Sequence, residues 1–512
     1  MKGKKIVSTF LALLLLANLP VSALAADWDI GSGDITVNAG SGGQTVTQGS
    51  QVDVPDSAPV ITGSSTKNTV TINAEKDQTA SVTLSGANID GSNEVKAAVS
   101  TTGEGNVSIE LDGDSTLKSG FTHAGLEKNN GGSLTIADED KNGKLTAEGG
   151  GYGAGIGGGY NGTGSDITIS GGEVKATGGA FGAGIGGGWR GSGSDITISG
   201  GEIKATGGDN GAGIGGGGWG GSGSDITISG GEVNATGGYA GAGIGGGCNS
   251  AGSDIAISGG EVNATGGQHG AGIGGGQNGS GNNIAISGGE VKATSGENGA
   301  GIGGGCFGDG NNITVSGDAK LKVQGGVEDN TDGAGAGIGN GGSKADGSPI
   351  PGAEVEPDTS GLTTGRIEYY APGADMEKDK PTRTTVGASS QPEKPTDPGA
   401  EHGADAPLYR VTDQDGKDIA HKAERKDGVL TITVDADLAI LTGKLSSIDT
   451  LKRQGIEKIV FVTNKAASTF QAADLLEKGA SSDEYRLTHD GTTVTFVVSE
   501  KKTDVSGILI QP

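Results

Sequence analysis

The chain has 512 residues, of which 107 are glycine, and its formal charge at pH 7 is −26. Aromatic residues make up only 3% of it, so the composition is not that of an ordinary globular enzyme. Nucleic acids and anionic membrane surfaces bind clustered Lys and Arg. The acidic balance therefore argues against both as partners, and we expect no nucleic acid binding and no membrane insertion.

The first 25 residues are predicted to be a secretory signal peptide. Lysines lie at positions 2, 4 and 5, an apolar run covers 6–16, and residues 23–25 form an A-x-A cleavage motif. No second apolar run of membrane-spanning length follows. We expect a secreted or extracellular protein that is associated with a cell surface non-covalently.

Residues 26–57 are polar and glycine-rich, and we interpret them as a lead-in or cap. From residue 58 onwards short alternating segments, such as 69–72 and 107–111, resemble degenerate copies of one strand. We place a β-helix at 58–345.

An acidic segment before the regular repeats resembles the start of a calcium loop. Residues 138–143, DEDKNG, have the D-x-D-x-N-G pattern, with Asp138, Asp140 and Asn142 as candidate metal ligands. The twelfth position, where such loops carry an acidic residue, is Gly149. Calcium is thus the one cofactor that the sequence suggests.

The regular part, 151–326, repeats one unit six times. GAGIGGG is followed by a polar loop, then DITIS, then GGEVKATGG, and the period is 29 residues, with one step of 30 that we assign to an inserted Gly218. Each phrase alternates apolar and polar residues or glycine, which is the period of a half-buried strand. Three short strands per repeat predict an all-β fold, a three-sided parallel β-helix with about 29 residues per coil.

The outward positions of the coils are candidate binding surfaces. One file of acidic and amide residues starts each DITIS strand; it predicts either corner-closing Asx residues or a calcium ladder. A second file of glutamates is flanked by lysines and predicts Glu–Lys pairs between coils. The first file is Asp166, Asp195, Asp225, Asp254, Asn283 and Asn312; the second is Glu173, Glu202, Glu232, Glu261 and Glu290.

Aromatic residues are scarce, and three of them follow the glycine phrase in successive coils. Tyr160, Trp189 and Trp219 are predicted to stack as an exposed strip at one corner. Exposed ring faces suit the apolar faces of sugar rings, although mutual packing of corner residues is the alternative. Phe181 and Tyr239, in the variable pairs before the phrase, are predicted to line another corner and are further candidate carbohydrate-binding residues.

The remainder of the chain changes in character. Cys248 and Cys306 are two coils apart, about 9.6 Å at the usual strand spacing, so we expect free thiols rather than a disulfide.

Residues 346–406 are predicted to be a partly ordered linker with a strand-like island at 366–370. Residues 407–512 are predicted to be a small α+β domain, with strands at 429–434 and 459–462, helices at 445–454 and 469–478, and a hairpin around Asp490-Gly491.

Polysaccharide-cleaving β-helix enzymes need either a basic residue beside an acidic calcium cluster or a pair of converging carboxylates. The repeats have neither. The chain is therefore not expected to be an enzyme. The GAGIGGG and ITISGGEVKATGG phrases resemble repeats in secreted proteins of gut and soil Firmicutes, and are similar to a clostridial family of carbohydrate-binding parallel β-helices. This resemblance, over residues 58–339, implies a right-handed β-helix, calcium at coil corners and binding of plant cell-wall polysaccharide without cleavage.

Two functions follow as hypotheses. The first is a non-catalytic β-helix that binds a plant or bacterial polysaccharide. The second is a structural or adhesive cell-surface rod that binds a protein partner.

Overall fold

The computed structural model describes residues 26–329, 332–345 and 348–387, and then 409–414, 417, 419, 421–426, 428–453, 456–465, 467–476, 484–489, 494–498 and 501–502. The predicted signal peptide lies outside the described residues, as do residues 346–347 and 388–406 of the predicted linker. The chain divides into two units, residues 1–390 and 391–512.

The first unit is a β-helix whose three sides are long sheets, which we name A, B and C. Sheet A consists of Asp27–Asp29, Val60–Thr62, Thr79–Ser85, Asn106–Asp112, Leu134–Ala137, Gly164–Ile169, Gly193–Ile198, Gly223–Ile228, Gly252–Ile257, Gly281–Ile286 and Gly310–Val315. Sheet B consists of Gln51–Pro55, Gly43–Gln48, Ile35–Gly40, Val70–Ala74, Val99–Gly103, Leu126–Lys128, Ile156–Gly157, Ile185–Gly186, Ile214–Gly215, Ile244–Gly245, Ile273–Gly274, Ile302–Gly303 and Ile338–Gly339. Sheet C consists of Ser64–Ser65, Asn88–Asp90, Asp114–Lys118, Lys144–Glu148, Glu173–Thr177, Glu202–Thr206, Glu232–Thr236, Glu261–Thr265, Glu290–Thr294, Lys320–Gln324, Arg366–Tyr370 and Arg383–Val386.

Each strand of the regular coils pairs in parallel with its own copy one coil later. Ile167 lies opposite Ile196 in sheet A, and Val174 lies opposite Ile203 in sheet C. In sheet B the paired residues are Ile156 and Ile185. These inward residues are fully buried and form one continuous apolar core. The predicted three-sided parallel β-helix is confirmed.

The β-helix is longer at both ends than the sequence indicates. Ile35–Gly40 already pairs in parallel with Val70–Ala74, so the first coil starts before the expected residue 58. An antiparallel hairpin, Gly43–Gln48 with Gln51–Pro55, covers this end of sheet B. At the other end Arg366–Tyr370, expected as an island within a linker, extends sheet C in parallel with Lys320–Gln324. The antiparallel strand Arg383–Val386 then ends that sheet.

Two smaller elements complete the described part of this unit. A short 3-10 helix, Ile30–Ser32, follows the first strand. A small hairpin consists of Ser343–Ala345 and Ser348–Ile350.

The second unit has its own apolar core of residues between Tyr409 and Val498. One sheet consists of Arg410–Thr412, Ala439–Lys444, Glu484–His489, Val494–Val498 and Lys501–Lys502, and the other of His421–Lys426, Val429–Val434, Lys458–Val462 and Ala467–Gln471. The helices are Leu445–Arg453 and Ala472–Leu476. The α+β class and the hairpin after Tyr485 agree with the prediction. The predicted helix at 469–478 is wrong in its first part, which is the end of a strand.

No helix within the described ranges is long and apolar enough to cross a membrane.

Both cysteines are free and buried in the structure, as predicted. Burial, reinforced by the negative charges of Asp332 and Asp329, raises the pKa of Cys306 to about 12. Burial also raises the pKa of Cys248. Both thiols are therefore protonated at neutral pH, and a protonated, buried thiol is a poor nucleophile.

Side B of the β-helix is packed so closely that many of its glycines have no room for a side chain. A Cβ on Gly211 would lie 2.0 Å from the carbonyl oxygen of Gly182 in the preceding coil. The obstacle is backbone, which cannot rotate away as a side chain can. Glycine at such positions is thus required by the stacking of coils.

We predict that Gly211→Ala lowers stability by about 1–3 kcal/mol, because the added methyl group forces two coils apart. The measurement is the midpoint of thermal or urea unfolding followed by circular dichroism. Gly42→Ala is the matched control, since a Cβ on Gly42 meets nothing within 4 Å. Equal midpoints for Gly211→Ala and the wild type would show that the coils do not approach so closely.

The two thiols should be silent toward Ellman's reagent at pH 8 in the folded protein and both should react in guanidinium chloride. The reason is their raised pKa together with their burial. Rapid reaction of either thiol in the native state, or fewer than two reactive thiols in denaturant without reductant, would contradict the structure.

Candidate binding ridge

Two loops in each regular coil meet outside the short strand of sheet B. The loop before the strand and the loop after it are joined by backbone hydrogen bonds between successive coils. The N–H of Trp189 donates to the carbonyl of Tyr152 at 2.8 Å, and the N–H of Cys248 donates to that of Asn210 at 2.8 Å. The paired loops form a continuous projecting edge along the β-helix.

This edge carries every aromatic residue of the sequence between residues 58 and 339, and we name it the aromatic ridge. Its rings are Phe121, Tyr152, Tyr160, Phe181, Trp189, Trp219, Tyr239 and Phe307. Phe121, Tyr160, Trp219, Tyr239 and Phe307 are between 44% and 63% exposed. Large apolar groups are thus concentrated, and left accessible, on one edge of the rod.

Five of these rings pack together at the N-terminal end of the ridge. Tyr152 lies in the middle, with ring centroids 4.8 Å from Phe121 and 5.4 Å from Tyr160, Phe181 and Trp189 alike. Tyr160 and Trp189 are 5.0 Å apart with their planes tilted by 40°. The structure thus brings together the predicted residues Tyr160, Trp189 and Phe181. It adds Phe121 and Tyr152, which are not among the predicted residues.

Trp219 is not in line with Tyr160 and Trp189, so this part of the prediction is wrong. The residue at the position of Trp189 in the next coil is Gly218. Its N–H donates to the carbonyl of Phe181, in the same way as the N–H of Trp189 donates to the carbonyl of Tyr152. Trp219 instead follows Arg190, and both have left-handed backbones with φ of 63° and 61°. The inserted residue of this coil is therefore Gly220 rather than Gly218. Trp219 is exposed on the ridge but outside the ring cluster.

Arg190 lies over the face of Trp189, with the guanidinium carbon 4.3 Å from the ring centroid. It is the only arginine between residues 151 and 326. Further along the ridge Tyr239 packs edge-on against His269, with centroids 4.9 Å apart. Tyr239 lies three coils from the cluster's Tyr152, on the same edge as Trp189, so the prediction of a separate corner for Phe181 and Tyr239 is wrong.

The file of Asp and Asn residues on sheet A has a conformational explanation. All six adopt a left-handed backbone with φ between 52° and 55°. Asn and Asp tolerate this region better than other residues with a side chain. Amides also connect the file, since Asn283 donates to Asp254 at 3.1 Å and Asn312 donates to Asn283 at 2.7 Å. The backbone conformation therefore accounts for the file without a calcium ladder, but its residues lie inside the sheet A strands, as Asp166 does in Gly164–Ile169, and do not close a corner as predicted.

In the glutamate file on sheet C, each glutamate lies opposite the glutamate of the next coil. Glu173 lies opposite Glu202 in the register. Ion pairs with lysine occur at the two ends of the file, between Lys144 and Glu173 and between Lys320 and Glu290. The predicted Glu–Lys pairing thus applies to the ends of the file, where the neighbouring coil carries lysine at the same position.

An acidic group forms at the predicted calcium turn, but with a different third member. Carboxylate oxygens of Glu110, Asp138 and Asp140 lie within 4.8 Å of one another, the only group of this kind in the described part of the chain. Asn142, the predicted ligand, directs its amide nitrogen to Asp140 at 2.8 Å. Its side-chain oxygen accepts from the N–H of Gly113. Glu110 comes from the preceding coil, so a search within one loop could not find it.

The pKa values of this acidic group are consistent with its crowding. Partial burial, followed by the negative charges of the turn, raises the pKa of Glu110. Desolvation and the neighbouring Asp138 carboxylate raise that of Asp140. Both oxygens of Asp138 accept backbone N–H groups, from Asn142 and Gly143. The group therefore closes a turn and concentrates negative charge at the same place.

Comparison with known proteins identifies the repeat. A family model described as Beta helix repeat matches residues 141–160, 167–189, 196–218, 226–248, 255–277 and 284–306. No curated protein and no solved structure matches the chain. Five of the matched segments run from a sheet A strand, through sheets C and B, to the ridge, and the first, 141–160, covers only the last two sheets and the ridge. The regular coils of this chain are therefore parallel β-helix repeats.

Proposed function

We propose that the protein is a non-catalytic, extracellular polysaccharide-binding β-helix, and that the aromatic ridge is its binding surface. The observation that carries the proposal is the restriction of every aromatic residue between 58 and 339 to this one edge. Burial in the core does not explain that restriction, because five of these rings are exposed. Exposed ring faces in a row match the apolar faces of successive sugar rings.

The dimensions and charge of the ridge favour a long, uncharged glycan. From Phe121 to Phe307 the ridge spans six coil steps, about 29 Å at the usual strand spacing. The chain has a formal charge of −26, and the single arginine of the regular coils is stacked on Trp189. A polyanion such as pectin would meet repulsion and few cations. We therefore take cellulose as the probe of an uncharged polysaccharide.

Secretion and surface association belong to this proposal. They rest on the predicted signal peptide and on the expectation of non-covalent attachment. A plant or bacterial polysaccharide would then be both the ligand and the surface to which the protein is held.

We predict that Trp189→Ala weakens retention on cellulose at least about fivefold, because a ring contact contributes about 1 kcal/mol. Tyr160→Ala should have an effect of similar size, since the two rings pack together. The measurement is a depletion isotherm with the full chain on microcrystalline cellulose, with polygalacturonate as the anionic comparison. Release of reducing sugar is followed in the same samples and is expected to stay at the blank level.

Val52→Ala is the matched control, because Val52 is an exposed apolar residue on the capping hairpin, away from the ridge. Retention that is unchanged in Trp189→Ala and Tyr160→Ala would exclude the ring cluster as the platform. Release of sugar above the blank would show that the protein is an enzyme.

We propose that the acidic group formed by Glu110, Asp138 and Asp140 binds a structural calcium ion. Three carboxylates are hard oxygen donors of the kind that Ca²⁺ prefers. The ion would offset the mutual repulsion that raises the pKa of Asp140. It would join the coil of Glu110 to the turn of the next coil, and it would supply cohesion rather than chemistry.

We predict that CaCl₂ at about 5 mM, several times the weakest dissociation constant of extracellular calcium modules (about 1 mM), raises the melting temperature relative to EGTA. Asp140→Asn should remove this shift. The shift should also fall as the pH is lowered, because carboxyls with raised pKa take up protons earlier and compete with the ion. Glu139→Gln is the control, since Glu139 lies in the same turn but outside the group. A shift of equal size in Asp140→Asn and wild type would place the ion elsewhere.

A structural or adhesive rod that binds a protein partner is the second candidate. The C-terminal unit, with an apolar core of its own, is the observation that favours it. This function would leave the full chain without retention on cellulose or any glycan of an array, while binding to cell surfaces persists after glycosidase treatment.

A further inference from the structure

A chain of hydrogen bonds connects three successive coils in the C-terminal half of the ridge. The hydroxyl of Tyr239 lies 3.0 Å from Nε2 of His269, and Nδ1 of His269 lies 2.9 Å from Oδ1 of Asn298. His269 and Asn298 are buried, whereas Tyr239 is exposed. The hydroxyl of an exposed tyrosine is thus backed by two buried polar side chains.

The direction of each hydrogen bond can be worked out from Asn298. Its Nδ2 donates to the carbonyl oxygens of Asp332 and Gly333 at 3.0 and 3.1 Å. The opposite orientation of the amide would place its oxygen against these two carbonyl oxygens, where no proton is available. Oδ1 therefore faces His269 as an acceptor, and Nδ1 of His269 must carry the proton.

The tautomer of His269 then determines the role of Tyr239. A neutral imidazole that is protonated at Nδ1 has a lone pair at Nε2. Tyr239 has a single hydroxyl proton, which it donates to that lone pair. Toward solvent, the phenolic oxygen can only accept a hydrogen bond.

We propose that Tyr239 is a subsite that accepts a hydrogen bond from a hydroxyl group of the bound polysaccharide, with His269 and Asn298 as its positioning residues. This inference rests on the proposed function and extends it to the polar part of recognition. A sugar hydroxyl brings the donor that the subsite needs, whereas a carboxylate or a phosphate dianion brings none. The subsite thus suits a hydroxyl group of the glycan rather than an anionic group.

The positions along the ridge support a division of roles. The ring cluster around Tyr152 supplies apolar contact at one end. Tyr239 lies three coils further along, about 14 Å at the usual strand spacing, and offers both an exposed ring and a directed hydroxyl. A linear glycan that lies along the ridge would contact both, so the fixed hydroxyl would set its register.

The test measures the affinity of the full chain for cellohexaose by calorimetry at pH 7.5. Tyr239→Phe keeps the ring and removes the hydroxyl, and it should weaken binding about three- to tenfold, the usual range for one hydrogen bond. His269→Gln should weaken binding to a similar degree, and the double variant should be no weaker than either single one. Additive losses would show that His269 does not act through the Tyr239 hydroxyl.

A second measurement does not depend on the ligand. In protein labelled with ¹⁵N-histidine, the resonances of His269 are those that disappear in His269→Gln, and they should show a protonated Nδ1 and an unprotonated Nε2. The opposite tautomer would overturn the proposal. Tyr239 is a surface residue, so Tyr239→Phe is expected to fold even where His269→Gln does not.

The outcomes separate this inference from the proposed function. If Trp189→Ala weakens cellohexaose binding and Tyr239→Phe does not, the subsite is refuted while the ridge remains the binding surface. If the wild type fails to bind cellohexaose and every polysaccharide of an array, the proposed function is refuted, and the subsite with it.

Discussion

The close approach of neighbouring coils on side B is the constraint on which the rest of the structure depends. A Cβ on Gly208 would lie 1.7 Å from the carbonyl oxygen of Gly179, and Gly238 has the same relation to Gly208. Side chains are therefore excluded from most positions of the two loops. Larger side chains are found at a few positions of these loops, those that hold Tyr152, Tyr160, Arg190 and Tyr239 and their equivalents. The same packing that requires glycine thus determines where the ridge can carry its rings.

The sequence predicts the regular coils well because burial decides them. Ile167 and Val174 alternate with polar residues, and a shift by one residue would expose every inward side chain. The ends were predicted less well, because coils of unequal length dilute the repeat. The strand Ile35–Gly40 precedes a hairpin rather than a second copy of itself, and Arg366–Tyr370 is separated from its partner strand by a long excursion.

The candidate site was predicted only in part, and the reasons are geometric. Around Trp219 the sequence reads GGGGWGG, and a run of identical glycines cannot show which of them is inserted. The register is determined only by the backbone hydrogen bonds, which show that Gly218 occupies the position of Trp189 in the next coil. Tyr152 lies one repeat before Phe181, so counting by the period could have found the centre of the cluster. Glu110 belongs to an irregular coil, where no such counting is possible.

The mutual packing of the rings does not compete with a role in binding. Tyr152 contacts four neighbours and holds Tyr160 and Trp189 in fixed positions, so these side chains have little rotational freedom to lose when a ligand binds. An isolated ring such as Trp219 or Phe307 would have to be ordered at the time of binding. Affinity should therefore be concentrated in the cluster. Tyr239 is also held in place, by its hydrogen bond. In the proposed complex its hydroxyl would fix the register of the glycan, which stacking on the rings alone would not fix.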